Sequence, residues 1–506
     1  MRILIWHGWL LEGSGSNVAT ARIAERYRAA GHDVLLLCQE RHPQRYPWID
    51  AFGDVGGDGP SDLTPLGASE ASGRCVLLRP RIGSTIPVFV VDRYEGFDRV
   101  VRFVDMSDDG LEAYLRANVE ALRAAATMHD PDVAFTGHAF PGAAIGARAL
   151  GPGRFVAKIH GSDLEYAVRL QVRYREFARE GLQVARAVIG PTRDVLRRCC
   201  ELVPGIEPLI QVVPPGVDVK AFRPRPRVDA LEEAVRLLEA DPDAARGRPS
   251  ALDASVERAL AARDADALDE LADGYDQAVP EPDAAARLRA LARADGPIVG
   301  YLGKLIPQKG VELLLASHRI AERDAHALVV GFGSDREWLS ALAIALERDD
   351  ADALVWLHER GVPVEPSLPI RHDTGVRDVV FTGRLDHRYA PDALAAMDVQ
   401  VVPSILEEAF GMVAAEGAAA GVLPLVARHS GLGEVGTALE TEIGRPGLLT
   451  FEPGERAIGY LADGIDRLLE LPAPEREEMR RAVSAFVGRE WTWDRTAAGM
   501  LAAAGM

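Results

Sequence analysis

The stretch Val399–Pro424, VQVVPSILEEAFGMVAAEGAAAGVLP, leaves this chain few folds to choose from. Val399–Pro403 is a short apolar run with the look of a buried strand. A polar turn, Ser404–Glu408, leads through Ala409-Phe410-Gly411 into an alanine-rich run, Met412–Ala420. That run reads as a helix that stops at Gly421, and Val422–Ala427 opens a new strand. A strand–loop–helix–strand unit of this kind belongs to a parallel α/β layer.

The unit carries one carboxylate on its loop, Glu408, and one inside its small-residue helix, Glu416. The amides of Phe410, Gly411 and Met412 fall at the helix N-terminus, where unpaired N–H groups and the helix dipole suit an anion. Two acceptor carboxylates flanking an anion cradle fit a ligand with phosphates in the middle and hydroxyls at both ends. A nucleotide sugar has that layout. The plainer alternative is two solvated glutamates on an ordinary Rossmann-like unit.

The spacing Glu-x7-Glu, with Pro403, Ser404, Phe410 and Gly411 in register around it, resembles the signature of retaining glycosyltransferases of family 4, a GT-B fold group. Two positions depart from that signature: Ala409 stands where glycine is usual, and Gly417 follows the second glutamate in place of alanine. The resemblance implies that Glu408 bonds donor sugar hydroxyls and Glu416 the ribose hydroxyls. It implies an α/β fold of the GT-B type, two Rossmann-like domains facing across a cleft.

Other segments fit the same resemblance in order. Arg2–Trp6, the glycine loop Glu12–Asn17, a helix Val18–Ala30 and a strand Val34–Cys38 make a Rossmann-type start without the full G-x-G-x-x-G fingerprint. The family places this loop near the donor, which puts Gly15 and Ser16 among the donor-binding residues; a tight strand-to-helix turn is the alternative. The excursion Gln39–Gly96, with an expected strand Pro87–Asp92, is long enough to suggest a functional or mobile loop, here for acceptor recognition. Helices are expected over Leu111–Ala126 and Gly142–Leu150, with strands at Val133–Thr136 and Phe155–Ile159.

His160-Gly161-Ser162-Asp163 resembles an H-G-S-D element whose histidine faces the donor sugar, making His160 a candidate catalytic residue and Asp163 an acceptor-binding one. Ser162 with Glu165 three residues on also reads as a capping box. Gly303-Lys304-Leu305-Ile306-Pro307-Gln308-Lys309-Gly310 resembles a G-R-x-x-x-x-K-G element, with Lys304 where arginine is usual. Gly303 is assigned to the donor, and Lys304 and Lys309 to its phosphates. Of 57 basic residues only Lys158, Lys220, Lys304 and Lys309 are lysines, so a lysine in this chain marks a place that wants a compact charge. Gly331-Phe332-Gly333 and Gly383-Arg384-Leu385 match two further elements. His429–Glu434 takes the place of a G-G-x-x-E turn and makes Glu434 a donor-binding candidate.

The domain reading is 1–210 for an N-terminal acceptor domain, with 489–506 crossing back to it, and 296–488 for a C-terminal donor domain. Between them, 226–295 is alanine-, aspartate- and arginine-rich and reads as a helical insertion packed on the hinge side. Its Asp264-Ala265-Asp266 triplet is read as chance and not as a metal site. Trp491 and Trp493 are expected to be packed, because two exposed tryptophans would be costly.

Composition narrows the partners. A net charge of −19 argues against wholesale binding to nucleic acid or anionic lipid. No apolar run approaches the roughly 18 residues of a membrane helix, which leaves room only for peripheral membrane contact. The N-terminus reads as a first strand and not as a signal peptide, and four cysteines make no disulfide framework, so a reducing cytoplasm is the default. The expected activity is transfer of a sugar from a nucleotide-sugar donor to a hydroxyl of a small molecule, lipid or glycan, with retention as the resemblance implies. No metal and no cofactor are expected, since the lysine pair and the helix N-terminus can stabilise a departing diphosphate. A sugar-nucleotide epimerase, a phosphorylase of the same fold, or a non-catalytic nucleotide-sugar-binding relative are the alternatives.

Overall fold

A computed structural model describes residues 1–67, 72–90, 94, 96–364 and 378–506. The chain divides into two units, Met1–Gly216 with Trp491–Met506, and Val217–Glu490.

In the first unit β1 (Arg2–Trp6), β2 (Asp33–Leu37), β3 (Ala51–Gly56), β4 (Arg74–Pro80), β5 (Val133–Gly137), β6 (Val156–Lys158), β7 (Ala187–Gly190) and β8 (Ile210–Val212) form one sheet. Their order is β8-β7-β6-β5-β1-β2-β4-β3, and every neighbouring pair on that path is parallel. β1 and β2 are buried on both faces after their first residue, which is why they read as continuous apolar runs without alternation. Chain order reverses between β1 and β5, and that is where an open α/β sheet leaves a crevice at its carboxyl ends. Helix α1 spans Gly15–Ala29, three residues earlier than the apolar pattern suggests, because the Ser14 side chain caps it by accepting from the Asn17 amide. Gly15 and Ser16 are therefore first-turn helix residues and not loop residues. The expected strand Pro87–Asp92 is found as Thr85–Val88, paired parallel with Arg99–Arg102; positions 91–92 lie outside the described residues. The last helix, Trp493–Ala503, packs in this unit: Tyr27 donates to the Ala497 carbonyl at 3.0 Å and Thr496 to that of Pro214 at 2.8 Å. Trp491 and Trp493 are buried.

In the second unit β9 (Ile298–Lys304), β10 (His326–Phe332), β11 (Val379–Phe381), β12 (Val399–Val402), β13 (Leu423–Ala427) and β14 (Thr450–Phe451) make a six-stranded sheet. Its order is β11-β10-β9-β12-β13-β14, all parallel, with the reversal between β9 and β12. Helix α2 (Val311–Ile320) follows β9, α3 (Met412–Ala419) follows β12, and α4 (Ser430–Ile443) follows β13.

Within 226–295 the helices Arg227–Glu239, Asp253–Ala262, Ala265–Leu271 and Ala284–Arg293 form a layer on the second unit. Part of it reaches the β11 edge of the sheet. Glu281 donates its amide to the Thr382 carbonyl at 2.9 Å. Arg248 donates to both oxygens of Glu337, at 2.7 and 2.8 Å, and the Tyr275 hydroxyl donates to the same carboxylate at 3.0 Å. Arg248 is 1% and Glu337 0% exposed, and Arg248 pairs with Asp253 as well at 2.7 Å, so the buried charges are satisfied within this small network. Asp264 is used up as a helix cap, accepting from the Ala267 amide.

Candidate functional site

The carboxyl ends of β9 and β12 meet at the reversal of the second sheet, and the lysine pair and the signature loop meet there too. Gln308 offers its carbonyl to the amides of Ile405 and Leu406 at 2.9 and 3.0 Å, so the segment after β9 and the loop after β12 are knitted together. Gly310, at φ 66°, lets the Pro403 carbonyl approach; a Cβ there would lie 2.3 Å from that oxygen. Lys309 is thereby carried to Glu408, and the two form an ion pair. The Ser404 hydroxyl donates to the same Glu408 oxygen at 2.8 Å, and His429 Nε2 donates to the Ser404 carbonyl at 2.6 Å. Lys304 is the half-buried last residue of β9. Gly303 leaves room for Tyr301, whose hydroxyl donates to the Lys304 carbonyl at 2.8 Å and would lie 2.5 Å from a Cβ at Gly303.

Gly411 opens α3 at φ 84°, with no side-chain cap, and a Cβ on it would lie 2.5 Å from Leu432. The amides of Met412 and Val413 occupy the first turn, where no intrahelical acceptor exists for them. Phe410 is buried, so its ring packs and its backbone alone can face a ligand. Glu416 lies one turn into α3, and burial pushes its carboxyl up to about 8.

Both departures from the family signature have a local cause. Ala409 is not among the residues with positive φ, so a Cβ is tolerated. Gly417 faces Gln400, a fully buried residue of β12 whose Nε2 donates to the Val413 carbonyl at 3.0 Å. A Cβ at 417 would lie 1.9 Å from Gln400 Oε1. The glycine at 417 is the steric counterpart of the glutamine at 400.

Other expected positions differ. Glu434 lies inside α4 and not in a turn, because α4 begins at Ser430. Gly431 lets that helix press on the signature loop: a Cβ there would lie 2.1 Å from the Ala409 carbonyl, and its amide donates to the Glu408 carbonyl at 3.0 Å. The glycines of Gly331-Phe332-Gly333 are required by close approach of the Gly303 and Leu305 carbonyls, at 2.1 and 2.2 Å from the added Cβ atoms. Asp163 is fully buried, and its two oxygens accept from the amides of Ala139 and Gly161. Its carboxylate is thereby engaged in shaping that turn. Glu165 forms no capping box with Ser162: its carboxylate is taken by Arg169 and by the buried Arg198, which needs a counter-charge. His160 follows β6 in the first unit with its ring 4.5 Å from that of His138, and its Nε2 has no hydrogen-bond partner.

Glu312 was not singled out in the sequence. It sits in the first turn of α2, three residues after Lys309, buried, with its carboxyl pushed up to about 7 by desolvation. An acid in a helix first turn reads as an ordinary complement to the helix dipole, so its burial is not visible in the residue pattern.

These two sheets, each with its reversal, define a GT-B architecture. Sucrose-phosphate synthase from Thermosynechococcus elongatus superposes with a TM-score of 0.57 at 18% identity, covering 99% of this chain and 97% of that one. Anabaena Alr3699/HepE in complex with UDP and glucose gives 0.56 at 14%, covering 99% of both chains. Residues 74–221 match the family described as Glycosyltransferase Family 4, and residues 296–470 match Glycosyl transferases group 1. With both matches in order on one chain over a GT-B fold, the chain belongs to the family 4-like glycosyltransferases. The 2-deoxystreptamine glucosyltransferase of Streptomyces kanamyceticus is 31% identical over 227 residues, 43% of this chain and 47% of that protein. The GDP-mannose-dependent alpha-(1-6)-phosphatidylinositol monomannoside mannosyltransferase of Mycobacterium tuberculosis is 30% identical over 227 residues, 43% and 50%. The matched region spans about half the length of these relatives. Among the described residues no helix is long and apolar enough to cross a membrane.

Proposed function

We propose that the protein transfers a sugar from a nucleotide-sugar donor to a hydroxyl acceptor, with retention of anomeric configuration and without a metal. The observation that carries this is the Lys309–Glu408 ion pair at the β9/β12 reversal, beside the uncapped start of α3. A donor diphosphate placed at that helix start offers Lys309 a doubly charged partner. Lys309 turns to the diphosphate, and Glu408, still held by Ser404, is released to accept from sugar hydroxyls. Lys304 adds a second fixed charge at the end of β9. As the glycosidic bond breaks, negative charge grows on the diphosphate, and these groups stabilise that charge more than the ground state. Glu416, one turn on, accepts from the ribose hydroxyls. The leaving phosphate takes the proton of the incoming hydroxyl, so no enzymic base is needed. Acceptor binding is assigned to the first unit, and His160 to the reacting sugar.

The test is incubation of the purified protein with a panel of nucleotide sugars and hydroxyl acceptors, with and without EDTA, reading the product by NMR. A transferred sugar of unchanged anomeric configuration, formed equally well in EDTA, is expected. An inverted product, an epimerised donor or a metal-reversible loss of activity would contradict the respective part of the reading.

A further inference from the structure

The first unit has a second polar cluster, of which the donor chemistry uses only His160. His7 follows β1, His138 follows β5, and Lys158 and His160 stand at and just beyond the end of β6. β1, β5 and β6 are adjacent, and the reversal of the sheet falls between β1 and β5. Four side chains that can carry positive charge thus gather where an open α/β sheet binds its ligand. The rings of His138 and His160 lie 4.5 Å apart, and those of His7 and His138 6.1 Å. Lys158 pairs in register with Gly137, and its charge acts on all three imidazoles.

His138 Nδ1, Lys158 Nζ and His160 Nε2 are buried without a hydrogen-bond partner, as is the Thr136 hydroxyl of β5. Both ring nitrogens of His7 are engaged, Nε2 donating to Asn17 Oδ1 at 2.8 Å and Nδ1 lying 3.2 Å from the Thr20 hydroxyl, so His7 borders the cluster without a spare donor. Asp163, the carboxylate nearest in sequence to His160, is taken by backbone amides. Without a counter-charge, burial pulls Lys158 down to about 7 and the imidazoles well below their ordinary range. Buried polar nitrogens left unpaired are costly and need a reason. His138 is moreover held at φ 76°, a conformation an L-residue adopts only under constraint from its surroundings.

From this geometry we infer that His138 and Lys158, with the Thr136 hydroxyl beside them, seat a phosphate-like anion between His7 and His160, and that this anion is a phosphoryl group on the acceptor. Several donors from separate strand ends suit the spread oxygens of a tetrahedral anion. That the anion belongs to the acceptor rests on the transferase reading; that the cluster binds an anion does not.

The experiment is calorimetric titration of the full chain, without nucleotide sugar, first with inorganic phosphate and then with sugar monophosphates beside their unphosphorylated parents. Phosphate binding at one site that survives Lys309→Ala and weakens at least tenfold in Lys158→Met is expected. Binding lost in Lys309→Ala but kept in Lys158→Met, or no binding, would overturn the site. Lys158→Met removes an unpaired buried amine, so its Tm should hold or rise; a fall would make the lysine structural and overturn the inference. His138→Gln decides the titration in the same way if Lys158→Met does not fold. Tighter binding of a sugar monophosphate than of phosphate, with none of the parent sugar, assigns the anion to the acceptor, and equal affinities would contradict that assignment. A protein that binds phosphate here but transfers no sugar would leave the site standing and remove the transferase reading alone.

Discussion

Lys309 and Glu408, 99 residues apart, neutralise each other in the free protein, and the Ser404 hydroxyl holds the same carboxylate oxygen from the other side at 2.8 Å. On the proposed function, a donor bound here would compete with this pair for both of its members. Lys309→Ala should therefore raise donor KM and lower kcat, because its charge counts most as the diphosphate departs. Loss of one such contact costs on the order of 2–4 kcal/mol in the transition state. Steady-state kinetics with unchanged KM and kcat would take Lys309 out of the site.

The raised carboxyl of Glu416 gives the donor site a pH signature. Burial holds it up to about 8, so in the free protein it is largely protonated at pH 7. Ribose hydroxyls that donate to it favour the carboxylate and lower that value on binding. Nucleoside diphosphate affinity should then rise between pH 7 and about 8.5 and level off above, with proton release at pH 7. Calorimetry in two buffers of different ionisation enthalpy measures the proton count. Zero release at pH 7 would mean that Glu416 does not meet the ribose as a carboxylate.

Gly417 can be tested by restoring the alanine usual in the family. Gly417→Ala alone drives a methyl into Gln400 Oε1, and overpacking of this kind costs about 1–3 kcal/mol. Gln400→Ala in the same chain should relieve most of it. Thermal denaturation of the two single variants and the double variant checks this; additive losses would mean that the two side chains do not collide.

The anchoring of the 226–295 layer rests on a buried charge pair. Arg248→Ala strands Glu337 without its partner, a change that costs roughly 3–5 kcal/mol. Arg248→Met with Glu337→Leu should be milder than either single change. A Tm for Arg248→Ala within a degree of wild type would show that the pair does not hold the layer.

Much of the fold around the candidate site was legible in the sequence because that site is local. The β12–α3 unit, its two glutamates and its glycine stop lie within 26 residues, and strand and helix periods separate cleanly there. The lysines were legible by their rarity. Pairing of Lys309 with Glu408 was not, because only the parallel placement of β9 beside β12 brings them together. The burial of Asp163 was not legible for a related reason: the Ala139 amide that binds its carboxylate comes from another strand end. The start of α1 was missed because Gly15 is a poor helix former, and the Ser14 cap outweighs that preference. The anchoring of the insertion was not legible, because Arg248 and Glu281 pair with residues 89 and 55 positions away.

The division of labour between the two glutamates is the centre of this account, and calorimetric titration of UDP, GDP and ADP into wild type, Glu408→Gln and Glu416→Gln at pH 8.5 tests it most directly. Glu416→Gln should weaken the preferred diphosphate, since the charged hydrogen bonds to ribose are lost. Glu408→Gln should bind it as tightly as wild type or somewhat more so, because Lys309 is freed from its partner. Equal losses in both variants, or no loss in Glu416→Gln, would contradict the placement of the donor along α3.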